Sequence, residues 1–215
     1  GNNVGFEIAK KEYKADFIVL MNNDILIQQS DFCDVICQKY GQYHYAVMGP
    51  KVYLKDGTYR SNPMRPGRYK AYAQRAAQMI TVLKYFGTFF DLDIASSKKH
   101  EDKRPQSYEA FYDEDTLNYK LHGCCLIFSR EYIDKFSGLN PHTFLYMEED
   151  ILFVRLRNNK LISLYSPDLW LTHLEDAATD KMMTSGRKKR RFIYKNHIES
   201  YNALIREIKD GTGRV

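Results

Sequence analysis

The most constraining feature of the sequence is an apolar run, Phe17–Met21, that ends in the polar triplet Asn22, Asn23 and Asp24. A run of this kind with β-branched side chains is typical of a buried central strand. In an open α/β sheet, ligands bind beyond the carboxyl ends of the strands. A carboxylate next to neutral amides there suits a divalent cation that carries a diphosphate. The alternative interpretation is a polar turn, because Asn and Asp are common turn formers.

The composition is typical of a globular protein. The chain has 215 residues, of which 44% are hydrophobic and 27% charged, enough for one sizeable domain. No apolar run approaches the roughly 20 residues that cross a bilayer, and no secretory signal pattern opens the sequence. We interpret the cysteines, which lack zinc-site spacing, as small buried residues in a reducing compartment. They are Cys33, Cys37, Cys124 and Cys125. A cytoplasmic location follows from this interpretation.

Strand-like and helix-like segments alternate along the chain, which predicts an α/β fold with a mainly parallel sheet. We assign residues 1–180 to one α/β domain and residues 181–215 to a basic, amphipathic C-terminal helix. Residues 61–115 are interpreted as a variable insertion that contains a candidate helix over residues 71–86. A helix is predicted at Glu148–Asn158, followed by two short strands at residues 161–165 and 169–172.

Three consecutive carboxylates, Glu148, Glu149 and Asp150, open the helix predicted at residues 148–158. One interpretation is structural, because the helix dipole favours negative charge in a first turn. The other is catalytic, because crowding of like charges tends to raise a carboxyl pKa and so favours a general base. His173, at the end of a predicted strand, is either a hydrogen-bonded surface residue or, if it converges with Asp24, a second ligand to Mn²⁺ or Mg²⁺.

Taken in order, five segments resemble the family-2 glycosyltransferases, which have the GT-A fold. No single segment is specific, but five in the right order are. They are residues 3–9, a helix start with Asn3; residues 17–24, a strand and an Asp-containing metal motif; residues 121–130, a strand with a glycine; residues 144–155, an aromatic and acidic motif ending in Arg155; and residues 165–173, a closing strand with a histidine. The likeness is to the polysaccharide-building, rhamnosyltransferase-like branch.

The resemblance implies a GT-A-like sheet flanked by helices. It also implies inverting, metal-dependent transfer of a sugar from a nucleotide-diphosphate sugar to a saccharide or lipid-linked acceptor, in cell-surface polysaccharide synthesis. Counting back from Arg155 favours Glu149 as the base, whereas matching the Glu-Asp pair by type favours Asp150, which we place ahead of Glu149. The implied roles are Mn²⁺ or Mg²⁺ binding for Asp24 and His173; nucleotide-sugar contact for Asn3, Asn22 and Asn23; acceptor contact for His122, Gly123 and Glu148; and general base for Asp150 or Glu149.

In this family a βαβ segment with part of the nucleotide pocket precedes the motif that opens this sequence. The resemblance therefore implies a fragment or a truncated copy, and a catalytically inactive, scaffold-like transferase domain is the first alternative function. A nucleic-acid-binding module is the second alternative, because basic and aromatic residues are abundant. The aromatic residues fall mainly in apolar runs, however, and no RNA-binding signature occurs, so we expect no nucleic-acid partner.

Much of the net charge of +5 is concentrated in one basic run near the C-terminus. One interpretation is a solvated segment before a helix. The other is attraction to anionic lipid, which would bring the protein to the inner face of the plasma membrane and to a lipid-linked acceptor. The run consists of Arg187, Lys188, Lys189, Arg190 and Arg191.

Overall fold

The structure is a computed structural model that describes residues 1–58, 62–67, 69–93, 113–143, 145–174 and 186–212. Phe144, residues 181–185 and parts of the predicted insertion lie outside these ranges. In chain order the elements are α1 (Asn2–Lys11), β1 (Phe17–Met21), β2 (Ile25–Leu26), α2 (Phe32–Tyr43), β3 (Val47–Leu54), α3 (Ala71–Gly87), β4 (Thr116–Leu117), β5 (Cys125–Ser129), α4 (Arg130–Ile133), α5 (Glu148–Asn158), β6 (Ser163–His173) and α6 (Gly186–Thr212).

Helices flank one six-stranded sheet, so the predicted mixed α/β class is confirmed. The strand order is β1-β5-β3-β6-β2, and β4 also pairs with β6. The prediction of a mainly parallel sheet is wrong, because among the described strands only β3 and β6 form a parallel pair and the other pairings are antiparallel. The alternation of strands and helices did not reveal that β5 inserts antiparallel between β1 and β3, which is a non-local pairing.

The direction of the long strands determines where a site can form. β5 runs opposite to both β1 and β3, so β1 and β3 point the same way, and β6 is parallel to β3. The carboxyl ends of β1, β3 and β6 therefore lie at one edge of the sheet. The beginning of β5 lies at the same edge, since Met21 at the end of β1 pairs with Cys125. This is the edge at which open α/β sheets bind ligands.

β6 is one continuous strand rather than the two that were predicted. Its register with β3 shifts between Pro50, which pairs with Ser166, and Lys51, which pairs with Trp170. Pro167 lies at this irregularity, where its missing N–H costs no ladder hydrogen bond. The proline interrupted the sequence pattern without interrupting the strand.

Side chains alternate along β5 and build two cores, one on each face of the sheet. Leu126 and Phe128 pack with Phe6 of α1, whereas Cys125 and Ile127 pack with Ile36 of α2. Cys124 is also buried, but Cys33 and Cys37 are exposed on α2, so the prediction of buried cysteines holds for only two of the four.

A third apolar cluster joins α5 to the C-terminal helix α6. Ile151 and Val154 of α5 pack with Ala203, Leu204 and Ile208 of α6. α6 also packs along α3. Among the helices that the structure describes, none is both long and apolar enough to cross a membrane.

Candidate functional site

The carboxyl end of β1 and the carboxyl end of β6 meet through Asp24 and His173. Oδ1 of Asp24 lies 3.1 Å from Nε2 of His173. Backbone pairing fixes this approach: Ile25 of β2 pairs with His173, and the N–H of Leu174 donates to the carbonyl of Asp24 over 2.9 Å. His173 is buried and Asp24 is half-buried.

The spacing of these two atoms fits a shared divalent cation. Two ligands at about 2.1 Å from a metal in adjacent octahedral positions are about 3.0 Å apart. A cation held by one carboxylate and one imidazole would keep its remaining positions for water or phosphate oxygens. Within the described part of the chain, no group of three or more His, Cys, Asp or Glu side chains forms a metal cluster.

The turn that precedes β5 brings His122 beside this pair. The imidazole rings of His122 and His173 have centroids 6.4 Å apart. Nδ1 of His122 accepts a hydrogen bond from the N–H of Cys124 over 3.2 Å, so the neutral ring carries its proton on Nε2. The same turn is attached to β1, because the N–H of Asn22 donates to the carbonyl of Cys124 over 2.9 Å.

A buried amide holds the His122 turn in place. Oδ1 of Asn62 accepts from the N–H of His122 over 3.0 Å, and Nδ2 of Asn62 donates to the carbonyl of Pro50 over 2.6 Å. Asn62 is only 1% exposed, so both bonds form away from water, where an unmade hydrogen bond is costly. Asn62 therefore connects β3 to the turn that carries His122.

Glu149 approaches the same turn from the first turn of α5. Its Oε1 accepts from the N–H of Gly123 over 3.3 Å. A Cβ at position 123 would lie 3.0 Å from this oxygen, so the glycine permits the close approach that its place in a strand-like run suggested. The chain of contacts Asp24–His173–His122–Gly123–Glu149 thus brings together residues predicted from four separate segments.

Asp150 points to different partners from those of Glu149. Its Oδ1 accepts from Nζ of Lys120 over 2.9 Å and from the hydroxyl of Tyr69 over 2.5 Å. Burial, and then the neighbouring Asp150 carboxylate, raise the pKa of Tyr69, which keeps the phenol a hydrogen-bond donor. Asp150 is consequently committed to an ion pair and a hydrogen bond.

Glu148 and Asn3 share another cleft, of about 400 Å³, that also includes Leu139, Asn140 and Thr143. The Asn3 amide donates to the carbonyl of Leu139 over 3.0 Å and accepts from its N–H over 2.9 Å, so it anchors that loop to α1. Burial, reinforced by the nearby Glu149 carboxylate, raises the pKa of Glu148. These two residues therefore lie apart from the Asp24 contact chain.

The side chains of Asn22 and Asn23 are exposed at the end of β1, directly before Asp24. A separate cleft of about 520 Å³ adjoins the end of β6, with Trp170 and Thr172 in its wall. Tyr53 packs edge-on against Trp170, with ring centroids 6.1 Å apart. Clefts of this size with aromatic walls and a few polar groups are typical small-molecule sites.

Sequence reasoning missed three residues that position the site: Asn62, Tyr69 and Lys120. Asn62 and Tyr69 fall in the segment interpreted as a variable insertion, where no period indicated a buried role. In the sequence, Lys120 stands out only as a basic residue two positions before His122. Asp150, which Tyr69 and Lys120 contact, and His122, which Asn62 contacts, lie 30 or more residues away in the chain, so local patterns carry no signal of these contacts.

Compared with models of protein families, with curated proteins and with solved structures, the chain matches none.

Proposed function

We propose that this chain is a sugar-transfer domain of the GT-A type, which moves a sugar with inversion from a nucleotide-diphosphate sugar to a saccharide or lipid-linked hydroxyl in polysaccharide synthesis. The observation that carries the proposal is the contact of Asp24 with His173 at a sheet edge that also receives Glu149 through Gly123. A candidate cation site and a candidate base would then lie at one edge of the sheet, as metal-dependent transfer from a phosphorylated donor requires.

The polar residues after β1 form the donor side of the proposed site. A divalent cation, when bound by Asp24 and His173, would neutralise the charge that develops on the departing diphosphate. The exposed amides of Asn22 and Asn23 would donate hydrogen bonds to nearby oxygens of the donor. His122, with its proton on Nε2, presents a further neutral donor beside His173.

The contacts of the acidic turn favour Glu149 over Asp150 as the base. Oδ1 of Asp150 already accepts from Nζ of Lys120 and from the hydroxyl of Tyr69, so two donors occupy this oxygen. Glu149 faces the His122 turn and accepts there only a long bond, 3.3 Å, from Gly123. Glu149 would take the proton of the acceptor hydroxyl while the acceptor oxygen attacks the anomeric carbon opposite the diphosphate, whose bond to that carbon breaks.

Calorimetric titration with nucleoside diphosphates in the presence of Mn²⁺ tests the donor side. We expect Mn²⁺-dependent binding by the wild-type chain and its loss in Asp24→Asn. Asp34→Asn, an exposed carboxylate on α2, is the matched control and should bind as wild type does. Failure of the wild-type chain to bind any of the uridine, guanosine and thymidine diphosphates would contradict the proposal.

Release of nucleoside diphosphate from a panel of nucleotide sugars tests the base. Glu149→Gln should bind the donor normally and lower turnover by roughly 10²–10⁴. Glu199→Gln, exposed on α6, is the control for charge. Binding without turnover in the wild-type chain would favour the inactive, scaffold-like alternative instead.

A further inference from the structure

The cleft of about 520 Å³ at the end of β6 opens on the face of the sheet opposite the His173 side chain. Side chains alternate along a strand, so Trp170 and Thr172 point to one face of β6 and His173 to the other. Burial follows this alternation, because His173 is buried whereas Trp170 and Thr172 are half-buried. Tyr53 of β3 pairs with Thr172 and so belongs to the cleft face as well. The cleft is therefore a different surface from the one that His173 faces.

The lining of the cleft is neutral and partly aromatic. Among the described residues that line it, Lys55 is the only charged one, and none carries a carboxylate. Gln28, Tyr53, Trp170 and Thr172 supply its polar and aromatic groups. A lining of this kind suits an uncharged ligand better than a metal ion or a polyanion, because it has no charges to compensate theirs.

A glutamine side chain attaches the segment after β2 to β6. Nε2 of Gln29 donates to the carbonyl of Asp168 over 2.8 Å, and its Oε1 accepts from the N–H of Trp170 over 3.0 Å. The amide of Gln29 thus replaces the backbone partner that this part of β6 would otherwise need. The preceding residue, Gln28, is thereby held next to Thr172 before any ligand binds.

The contact between Gln28 and Thr172 orients the amide of Gln28. Its Oε1 accepts from the hydroxyl of Thr172 over 3.1 Å, so the Nε2 end of the amide is turned away from that hydroxyl. Within the described ranges, neither the amide N–H groups of Gln28 nor the indole N–H of Trp170 donates a hydrogen bond. The Thr172 oxygen retains lone pairs that can accept. The cleft thus offers neutral donors and an acceptor close together.

The two aromatic rings form a corner rather than a slot. The rings of Tyr53 and Trp170 meet edge-on, with centroids 6.1 Å apart and planes at 88°. The ammonium group of Lys51 lies over the Tyr53 ring, 5.7 Å from its centroid. A flat base stacked between two parallel rings does not fit a corner. A sugar ring fits it better, because its C–H groups can pack on one aromatic ring while its hydroxyl groups reach polar neighbours.

We propose that this cleft binds a neutral saccharide, with a sugar ring against Trp170 and adjacent hydroxyl groups on the Gln28 amide and the Thr172 hydroxyl. A purely apolar ligand would bury the free donors of Gln28 and Trp170 without partners, which is costly. A saccharide supplies an acceptor to each. Binding requires neither a cation nor the acidic turn of α5, so the proposal does not depend on sugar transfer.

The fluorescence of Trp170 reports on the cleft directly, because this is the only tryptophan in the chain. Titration with maltohexaose, cellohexaose and mannohexaose up to about 10 mM should give a saturable change with at least one of them. The change should occur without a divalent cation and persist in Asp24→Asn. The free base uracil, which is flat and lacks a sugar ring, should leave the fluorescence unchanged.

Two variants test the polar contacts. Gln28→Ala and Thr172→Val should each weaken saccharide binding by roughly fivefold, since each removes one neutral hydrogen-bonding group. Gln38→Ala is the matched control, because Gln38 is exposed on α2, outside the cleft. Thermal melting of each variant verifies that it folds, which is expected of Gln28→Ala because Gln28 is exposed.

Four results would overturn the proposal. One is the absence of a saturable change with all three hexasaccharides. Another is equal binding by wild type, Gln28→Ala and Gln38→Ala. A response that needs Mn²⁺ or is lost in Asp24→Asn would assign the binding to the Asp24–His173 pair instead. A response to uracil alone would assign the cleft to a nucleobase.

Discussion

Oδ1 of Asp24 and Nε2 of His173 are 3.1 Å apart although 149 residues separate them in the chain. The two-residue strand β2 produces this contact by pairing Ile25 with His173 at the end of β6. The carboxylate after the first strand is thereby brought to the last strand of the sheet, next to His122.

Gly123 provides a test of the close approach of Glu149. In Gly123→Ala the new Cβ would lie 3.0 Å from Oε1 of Glu149, so the carboxylate must move. We expect a change in the free energy of unfolding below about 1 kcal/mol, because the end of a flexible side chain moves easily. Turnover of the donor sugar should fall by up to about 10²-fold, because displacing a reacting group by 1 Å has effects of that order.

The control for this substitution is Gly41→Ala. Gly41 lies inside α2 with no atom within 4 Å of the added Cβ. Alanine should therefore raise the free energy of unfolding by about 0.5–1 kcal/mol and leave turnover unchanged. Equal turnover in wild type and Gly123→Ala would show that catalysis does not depend on the position of the Glu149 carboxylate.

The hydrogen bond from Tyr69 to Asp150 should stabilise the start of α5. Tyr69→Phe removes this 2.5 Å bond and leaves Lys120 as the remaining partner of the carboxylate. We expect the free energy of unfolding, measured by urea denaturation, to fall by about 1–2 kcal/mol. Tyr13→Phe, at an exposed site, should change it by less than about 0.5 kcal/mol. If the two variants unfold alike, the contact does not contribute to stability.

Glu148 should make stability depend on pH in a predictable direction. Burial raises the pKa of its carboxyl group in the folded state, so the folded protein disfavours the ionised form. The stability associated with this group is fully present below the unfolded pKa of about 4.3 and is lost as pH rises through the raised, folded value. Glu148→Gln should therefore gain stability relative to wild type as pH rises from about 4 to 7.

Urea denaturation of wild type and Glu148→Gln across this pH range measures the difference. Glu199→Gln, exposed on α6, controls for the loss of one negative charge. If the difference in free energy of unfolding between Glu148→Gln and wild type is constant with pH, or shrinks as pH rises, burial does not destabilise the ionised carboxylate of Glu148.

Local patterns predicted those elements whose signals are contiguous in the sequence. Phe17–Met21 and Glu148–Asn158 have the predicted bounds, because an uninterrupted apolar run and an acidic first turn with helical periodicity are local properties. The continuity of β6 was missed, because Pro167 resembles a strand end unless the register shift in β3 is known.

The features of the fold and of the site that the sequence did not predict depend on contacts between distant segments. The position of β5 between β1 and β3 depends on pairings that no periodicity encodes. The roles of Asn62 and Lys120 depend on partners in other segments. The apolar side of α3 predicted a helix, but only the packing of Gln78 on α6 reveals that this side faces outward.

The coordination of Mn²⁺ tests the central claim most directly. Electron spin-echo measurements on the chain with Mn²⁺ and a nucleoside diphosphate should detect nitrogen coupling from one histidine. The coupling should disappear in His173→Gln and persist in His122→Gln, whose ring lies next to that of His173. Mn²⁺ bound with the diphosphate but without nitrogen coupling, or coupling that survives His173→Gln, would contradict the account.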